Sequence, residues 1–252
     1  MRVLLAADDV HAPRAAVTIQ SLFDQGHRDV VLYDLGMTKD RNLGVEVRQV
    51  PDELKVRVDI HGRMIPGAYR WKWWALHHDM ANSAHDVFWL DAGHLVLKSL
   101  EPIMAWAHEH GPWAAAYPGL AGFITDRIAT VLRLPQDYSK KMATWPILLA
   151  GQLAIPGPWL HSLIVPMWYM AERSPAAFED NGTARGGPSA GRGDEAILSI
   201  VMGRLGLGDR LCSLAMSNHF HLALHEKTSV CKGTYIVTAR HNAEAWYKEL
   251  RG

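Results

Sequence analysis

The chain is poor in cysteine: Cys212 and Cys231 are the only two among 252 residues. That excludes the disulfide framework of a small secreted domain, and the simple reading is a reducing, cytoplasmic compartment. Net charge is also lacking. Lys plus Arg and Asp plus Glu each number 26, so there is no bulk electrostatic grip on nucleic acid or an acidic membrane. The apolar run within Met1–Asp9 is too short for a secretory signal and reads as a first buried strand. Neither GxGxxG nor GxxxxGK[ST] occurs, which counts against a standard dinucleotide enzyme or a P-loop NTPase. The 14 histidines include no HExxH pair, which removes the common zinc-protease signature.

Charge is absent from one long stretch as well. No Asp, Glu, Lys or Arg lies between Lys141 and Glu172, which is length enough to span a bilayer. Pro146, Pro156, Pro158 and Pro166 interrupt it, and a continuous membrane helix does not carry prolines so spread. The stretch reads instead as a buried strand, a turn and an apolar helix, so no transmembrane segment is expected.

What is present alternates between strand and helix. Arg2 to Ala7 reads as a strand, Pro13 to Phe23 as a helix, and Asp29 to Tyr33 as a second strand. This opening suits a nucleotide-binding α/β unit. Irregular strands are expected at Val45–Val50 and Leu54–Ile60, around Pro51. An aromatic helix follows at Tyr69–Ala84. Further elements are helix Glu101–His110, strand Trp113–Tyr117, helix Asp126–Leu134 capped by Thr125, strand Ile147–Ile155 and helix Trp159–Arg173. Asp180 to Gly193 carries five glycines and reads as a mobile loop. Helix Asp194–Leu205, strands Leu211–Leu214 and Tyr235–Thr238, and a last helix capped by Asn242 complete the chain.

The most informative segment is Val87-Phe88-Trp89-Leu90-Asp91-Ala92-Gly93. A short apolar strand ends abruptly in a carboxylate. In open α/β sheets ligands bind just past the carboxyl ends of strands, so Asp91 is placed to touch a ligand, a metal or a ribose. Ala92 and Gly93 leave room for something bulky to approach the backbone. Asp8 and Asp34 also end predicted strands. Each is either a hydrogen-bond acceptor for a base or ribose or a turn residue, and Asp9 reads as a turn residue. Trp71, Trp73 and Trp74 read as core.

Four features together resemble glycosyltransferases of the GT-A fold, the nucleotide-diphosphosugar transferase type, over most of the chain. They are Ala7-Asp8-Asp9 with the helix and Asp34 that follow; Tyr69-x-Trp71-Lys72; Trp89-Leu90-Asp91-Ala92-Gly93; and Gly193-Asp194-Glu195-Ala196-Ile197-Leu198. The resemblance implies a single domain over 1–252, with a nucleotide-donor half at 1–98 and an acceptor half at 99–252. It implies a Rossmann-like α/β three-layer sandwich about a mixed, mostly parallel sheet. The implied activity is transfer of a sugar from a UDP-, GDP- or dTDP-type donor to a hydroxyl on a small molecule or glycan, with no nucleic acid involved.

The resemblance also implies roles. Ala7, Asp8, Asp34, Lys72, Asp91, Ala92, Gly93, Gly151 and Gln152 would border the donor. Lys72 would be the cation for the diphosphate, or else a solvated helix lysine. Asp194 and Glu195 would act on the acceptor or reacting sugar, or else merely favour a helix N-terminus. Asp91 with one of His219, His221 and His241 would hold Mn²⁺ or Mg²⁺, since carboxylate oxygens suit these ions. The second carboxylate of the usual Asp-x-Asp is Gly93 here, which weakens that site. A degenerate, non-catalytic module binding a nucleotide or sugar is the alternative. A sugar nucleotidyltransferase ranks lower, because the basic glycine-rich segment after the first strand is replaced by Asp8-Asp9-Val10-His11-Ala12-Pro13.

Overall fold

The computed structural model describes residues 1–38, 42–55, 57–58, 64–65, 69–178, 193–207, 221–224, 234–239 and 243–251. The N-terminal apolar run is strand β1 (Arg2–Ala7). A strand covered on both faces reads as unbroken apolar sequence. Leu4 and Ala6 join the core on one face, and Val3, Leu5 and Ala7 join that on the other. Helix α1 (Ala12–Asp24) leads to β2 (Val30–Asp34), parallel to β1. β3 (Glu46–Gln49) adds a parallel edge. Of the irregular strands expected around Pro51, this edge is the first. The second is broken into a 3₁₀ turn, Asp52–Leu54, and β4 (Arg57–Val58), which pairs with β5 (Met64–Ile65) in a separate ladder.

Helix α2 (Arg70–Ala81) feeds β6 (Val87–Leu90), parallel to β1 on its other side. A further strand, β7 (His94–Val96), follows at once. Then come α3 (Glu101–His110), β8 (Trp113–Pro118), α4 (Asp126–Val131), α5 (Tyr138–Lys141) and β9 (Pro146–Ile155). Thr125 caps α4 as expected, its hydroxyl accepting from the Ile128 amide at 3.2 Å. The six-stranded sheet runs β3-β2-β1-β6-β9-β8. β9 alone runs against its neighbours, so the sheet is mixed and mostly parallel.

The rest of the chain supplies α6 (Val165–Arg173), α7 (Gly193–Met202), β10 (His221–Leu224), β11 (Thr234–Thr238) and α8 (Ala243–Arg251). A smaller sheet has the order β10-β11-β7. α1 and α3 cover one face of the central sheet, and α2, α6 and α7 cover the other. The α/β three-layer expectation is met. The predicted strand at 211–214, the Asn242 cap and residues 180–192 of the loop lie outside the described residues.

The charge-free stretch is β9 followed by turns and α6. The expected single helix over 159–173 is instead a 3₁₀ turn, a π-helical turn at Leu160–Ile164, and α6 with Pro166 in its first turn. Proline has no N–H and its ring crowds the preceding turn, so the regular ladder starts only there. Among the described residues no helix is long and apolar enough to cross a membrane.

Buried Asp79 of α2 accepts from Arg2 at the amino end of β1, from Arg48 of β3 and from His85. This joins α2 to β1 and β3. Nearby, the Asp86 carboxylate accepts from the Gly157 amide at 3.0 Å, and a Cβ at Gly157 would lie 1.8 Å from the Ala84 carbonyl oxygen. Backbone cannot yield as a side-chain tip does. Gly157→Ala is therefore expected to cost about 3 kcal/mol or more, read from urea melts; an unchanged midpoint would refute this packing.

Candidate active site

Asp91, Ala92 and Gly93 carry the chain from the central sheet into the smaller one. The Asp91 amide donates to the Gly151 carbonyl at 2.9 Å, extending the β6–β9 ladder by one step. Gly93 has φ +96°, a conformation that side-chain-bearing residues avoid. Its amide donates to the Thr18 hydroxyl at 3.1 Å, and the Val96 amide donates to the Ser21 hydroxyl at 3.0 Å. Thr18 and Ser21 are buried on one face of α1, three residues apart. They brace the exit from Asp91, and nothing in their local sequence marks them. Gly93 thus serves the backbone turn.

The Asp91 carboxylate is held from several sides. Trp89 Nε1 donates to Oδ1 at 2.7 Å, and Lys72 Nζ reaches the same oxygen at 3.2 Å. A Cβ at Gly151 would lie 2.8 Å from Oδ2, so Gly151 is the space that the carboxylate fills. The His94 ring is fixed by its Nδ1, 2.7 Å from the Asp91 carbonyl oxygen. Protein surrounds Asp91, yet its side chain keeps 39% of its surface exposed. A group both enclosed and wetted lies on the floor of a concavity.

Lys72 lies beneath that floor, 2% exposed. Its Nζ donates to the Ala150 carbonyl at 3.0 Å and reaches Asp91 Oδ1 at 3.2 Å and Asp194 Oδ2 at 3.5 Å. An ammonium has three hydrogens, and these three acceptors account for them. The rings of Tyr69, Trp71 and Trp89 stand 5.4, 5.9 and 5.6 Å from Nζ. Burial works against the charge, but Asp91, Asp194 and Glu195 outweigh it and hold the Lys72 pKa well above its ordinary value. The two readings open from sequence, a diphosphate-binding cation and a solvated helix lysine, both need an accessible ammonium. The structure has a buried cross-link.

Asp194 arrives from the far end of the chain on the first turn of α7, and it is 3% exposed. Gly193 before it lies so close to the Ala177 carbonyl that a Cβ would stand 2.6 Å away. Burial pushes the Asp194 pKa up, Lys72 opposes, and the Asp91 charge adds to the rise. For Asp91, burial also pushes up, but Lys72, His94 and the Trp89 N–H prevail and hold it below the usual carboxylate range. The two carboxylates are thus driven apart in proton affinity. Half-buried Glu195 adds negative charge felt by Lys72. Buried Gln152 follows Gly151 on β9, opposite Leu90.

The other predicted residues fall differently. Asp8 Oδ1 accepts from the His11 amide at 2.8 Å and meets His11 Nδ1 at 2.6 Å. Asp34 accepts from the Gly36 and Met37 amides and from Gln49 Nε2. Both carboxylates close the turns that follow β1 and β2, and Asp9 accepts from Thr38. Ala7 ends β1, and Ala92 packs on the α1 side. Trp71 and Trp73 are core, as expected, and Trp74 stacks on His78. His219 and His241 lie outside the described residues. His221 opens β10, whose other end, Leu224, is the residue level with Thr238 and so with His94. Among the described residues no three His, Cys, Asp or Glu side chains converge as metal ligands. The described part of the site therefore does not by itself fit Mn²⁺ or Mg²⁺.

Replacing Lys72 by Met leaves two enclosed carboxylates without their counter-charge. Lys72→Met is expected to cost about 3 kcal/mol at neutral pH. The pKa of Asp91 is depressed in the fold, so its stabilisation is full above the unfolded value and fades as pH falls through the folded one. The gap between wild type and variant should therefore narrow in acid. Denaturant melts at neutral pH and at pH values below the ordinary carboxylate range measure it; a pH-independent gap would remove the charge account.

No family model and no curated protein sequence matches the chain, and the likeness found is to solved structures. An active-site mutant of LgtC superposes with TM-score 0.51 at 16% identity, over 100% of this chain and 95% of that one. The galactosyltransferase LgtC in complex with donor and acceptor sugar analogs gives 0.50 at 15% identity, over 98% and 94%. Mouse xyloside xylosyltransferase 1 in its apo form gives 0.47 at 12%, over 96% and 98%. At such identities architecture is what is shared: the chain has the GT-A fold, the fold of the glycosyltransferases that it resembles.

Proposed function

We propose that the chain is a glycosyltransferase that moves a sugar from a nucleotide-diphosphate donor to a hydroxyl-bearing acceptor. The observation that carries this is the buried Lys72 bridge between Asp91 and Asp194, at 3.2 and 3.5 Å. Burying charge costs stability that an apolar core would not forgo. Two carboxylates with opposite pKa shifts at a sheet's carboxyl end mark a site built for chemistry. A degenerate module has no use for that cost.

In this reading the donor lies past the ends of β1, β2 and β6, bordered by Ala7, Asp8, Asp34, Ala92, Gly93, Gly151 and Gln152. UDP-, GDP- and dTDP-sugars all fit the description. During transfer the bond from the anomeric carbon to the diphosphate oxygen breaks, and its electron pair leaves with the diphosphate. The acceptor oxygen makes the new bond and gives up its proton. In an inverting reaction Asp194 takes that proton, with Glu195 as the neighbouring alternative. A carboxylate whose pKa is raised towards working pH suits a general base. In a retaining reaction the same pair positions the sugar. Asp91, ionised, faces the donor, and Lys72 positions both carboxylates. Mn²⁺ or Mg²⁺, if used, would need Asp91 together with His219, His221 or His241. The roles above rest on this chain's own side chains.

A thermal-shift panel of UDP, GDP and dTDP, each with and without Mn²⁺, comes first. A ligand of the native state raises the melting temperature. Asp91→Asn is expected to fold and to lose transfer. Asp194 must be ionised to accept a proton, so kcat should rise with pH through a value above the ordinary carboxylate range and then level. Asp194→Asn should lose that limb and about a hundredfold or more in kcat. Nucleotide binding without turnover would favour the non-catalytic module, and full activity in Asp91→Asn would refute the site.

A further inference from the structure

Tyr69 stands just before α2 with φ +55° and ψ 13°. It is one of the non-glycine residues with positive φ, with Ala84 and Arg133. Glycine or asparagine meets this conformation with less strain. Strain retained at the edge of a site points to a side chain that must be where it is. The ring is half-buried, 5.4 Å from Lys72 Nζ and 6.3 Å from the Trp71 ring.

Three rings surround Lys72, and they are not equivalent. Trp71 and Trp89 are buried. Trp89 has its N–H engaged by Asp91. Tyr69 is the part-exposed one, and among the described residues its hydroxyl makes no hydrogen bond. Burial pushes its pKa up to about 12, with the nearby Asp194 charge adding to the rise and Lys72 opposing. The phenol therefore stays protonated, as a neutral donor, at any working pH.

The balance of donors and acceptors gives this hydroxyl a task. Asp91, Asp194 and Glu195, when ionised, only accept hydrogen bonds. Lys72 Nζ already lies against three acceptors, Ala150, Asp91 and Asp194, at 3.0, 3.2 and 3.5 Å. A nucleotide sugar is rich in acceptor oxygens, so it needs donors from the wall of such a site. We propose that Tyr69 is a donor-substrate contact: its hydroxyl donates a hydrogen bond to an oxygen of the bound nucleotide sugar, beside Asp91 and Asp194. The inference rests on the reading of this site as a sugar-transfer centre.

The test compares wild type, Tyr69→Phe and Tyr69→Asn, with Lys72→Met and Asp91→Asn alongside. Phe keeps the ring and loses the hydroxyl, whereas Asn suits the backbone and loses the ring. Release of free nucleotide from UDP-glucose, UDP-galactose, GDP-mannose and dTDP-glucose is measured, with melting temperature for each variant. Tyr69→Phe should melt like wild type and lose about a hundredfold in kcat/KM for the donor that wild type uses. Wild-type turnover in Tyr69→Phe overturns the contact, even where Tyr69→Asn fails, because the ring then only walls off Lys72. A Phe variant that loses both melting temperature and turnover makes the hydroxyl structural and overturns it too. If wild type turns over none of the donors, or Lys72→Met and Asp91→Asn match wild type, the sugar-transfer reading itself falls, and the contact with it.

Discussion

The candidate site hangs on one buried ammonium. Lys72 meets the Ala150 carbonyl in β9, Asp91 past the end of β6 and Asp194 at the start of α7. These groups come from distant parts of the chain, and one cation is their common partner. Without it, burial and mutual repulsion would drive both carboxylates to protonate or to separate. With it, Asp91 stays ionised on the floor of a concavity while Asp194 is held closer to neutrality. The asymmetry of the pair in proton affinity follows from where the ammonium sits and from how much water each carboxylate keeps.

Small residues make that arrangement sterically possible. Gly151 leaves the volume occupied by the Asp91 carboxylate, and Gly193 lets α7 begin against the Ala177 carbonyl. Gly93 supplies the backbone turn from the central sheet to the smaller one. Thr18 and Ser21 on α1 then hold that turn through its amides. Hydroxyls at helical spacing on a buried face satisfy the amides of a short connection that has no strand partner there. Rigidity in such a site comes from ordinary backbone bookkeeping as much as from its charged groups.

Much of the framework was legible because it is local. The strands β1 and β6 are unbroken apolar runs with abrupt polar ends, β9 is apolar but for Gly151-Gln152, and Thr125 and the prolines mark helix starts. Asp91 at a strand's carboxyl end could be placed from its neighbours alone. The short β7 escaped notice because three residues carry no periodicity, and only pairing with β11 defines it. Helix α6 began later than its composition suggested because Pro166 interrupts the ladder. Asp8 and Asp34 were legible as carboxylates past strand ends, but only the structure shows that they also close their own turns through the amides of His11, Gly36 and Met37.

By itself the sequence determined the alternation of strand and helix, the carboxylate past β6 and the acidic start of α7, since hydrophobic period and turn chemistry act within a few residues. Only the tertiary structure decided that Lys72 is a buried cross-link and not a surface cation. It also decided that Trp89 and Gly151 shape Asp91, and that Tyr69 is turned towards the same cluster. Those facts depend on which distant groups share a low-dielectric space. Desolvation and Coulomb attraction depend on distance through space, and no spacing along the chain records it.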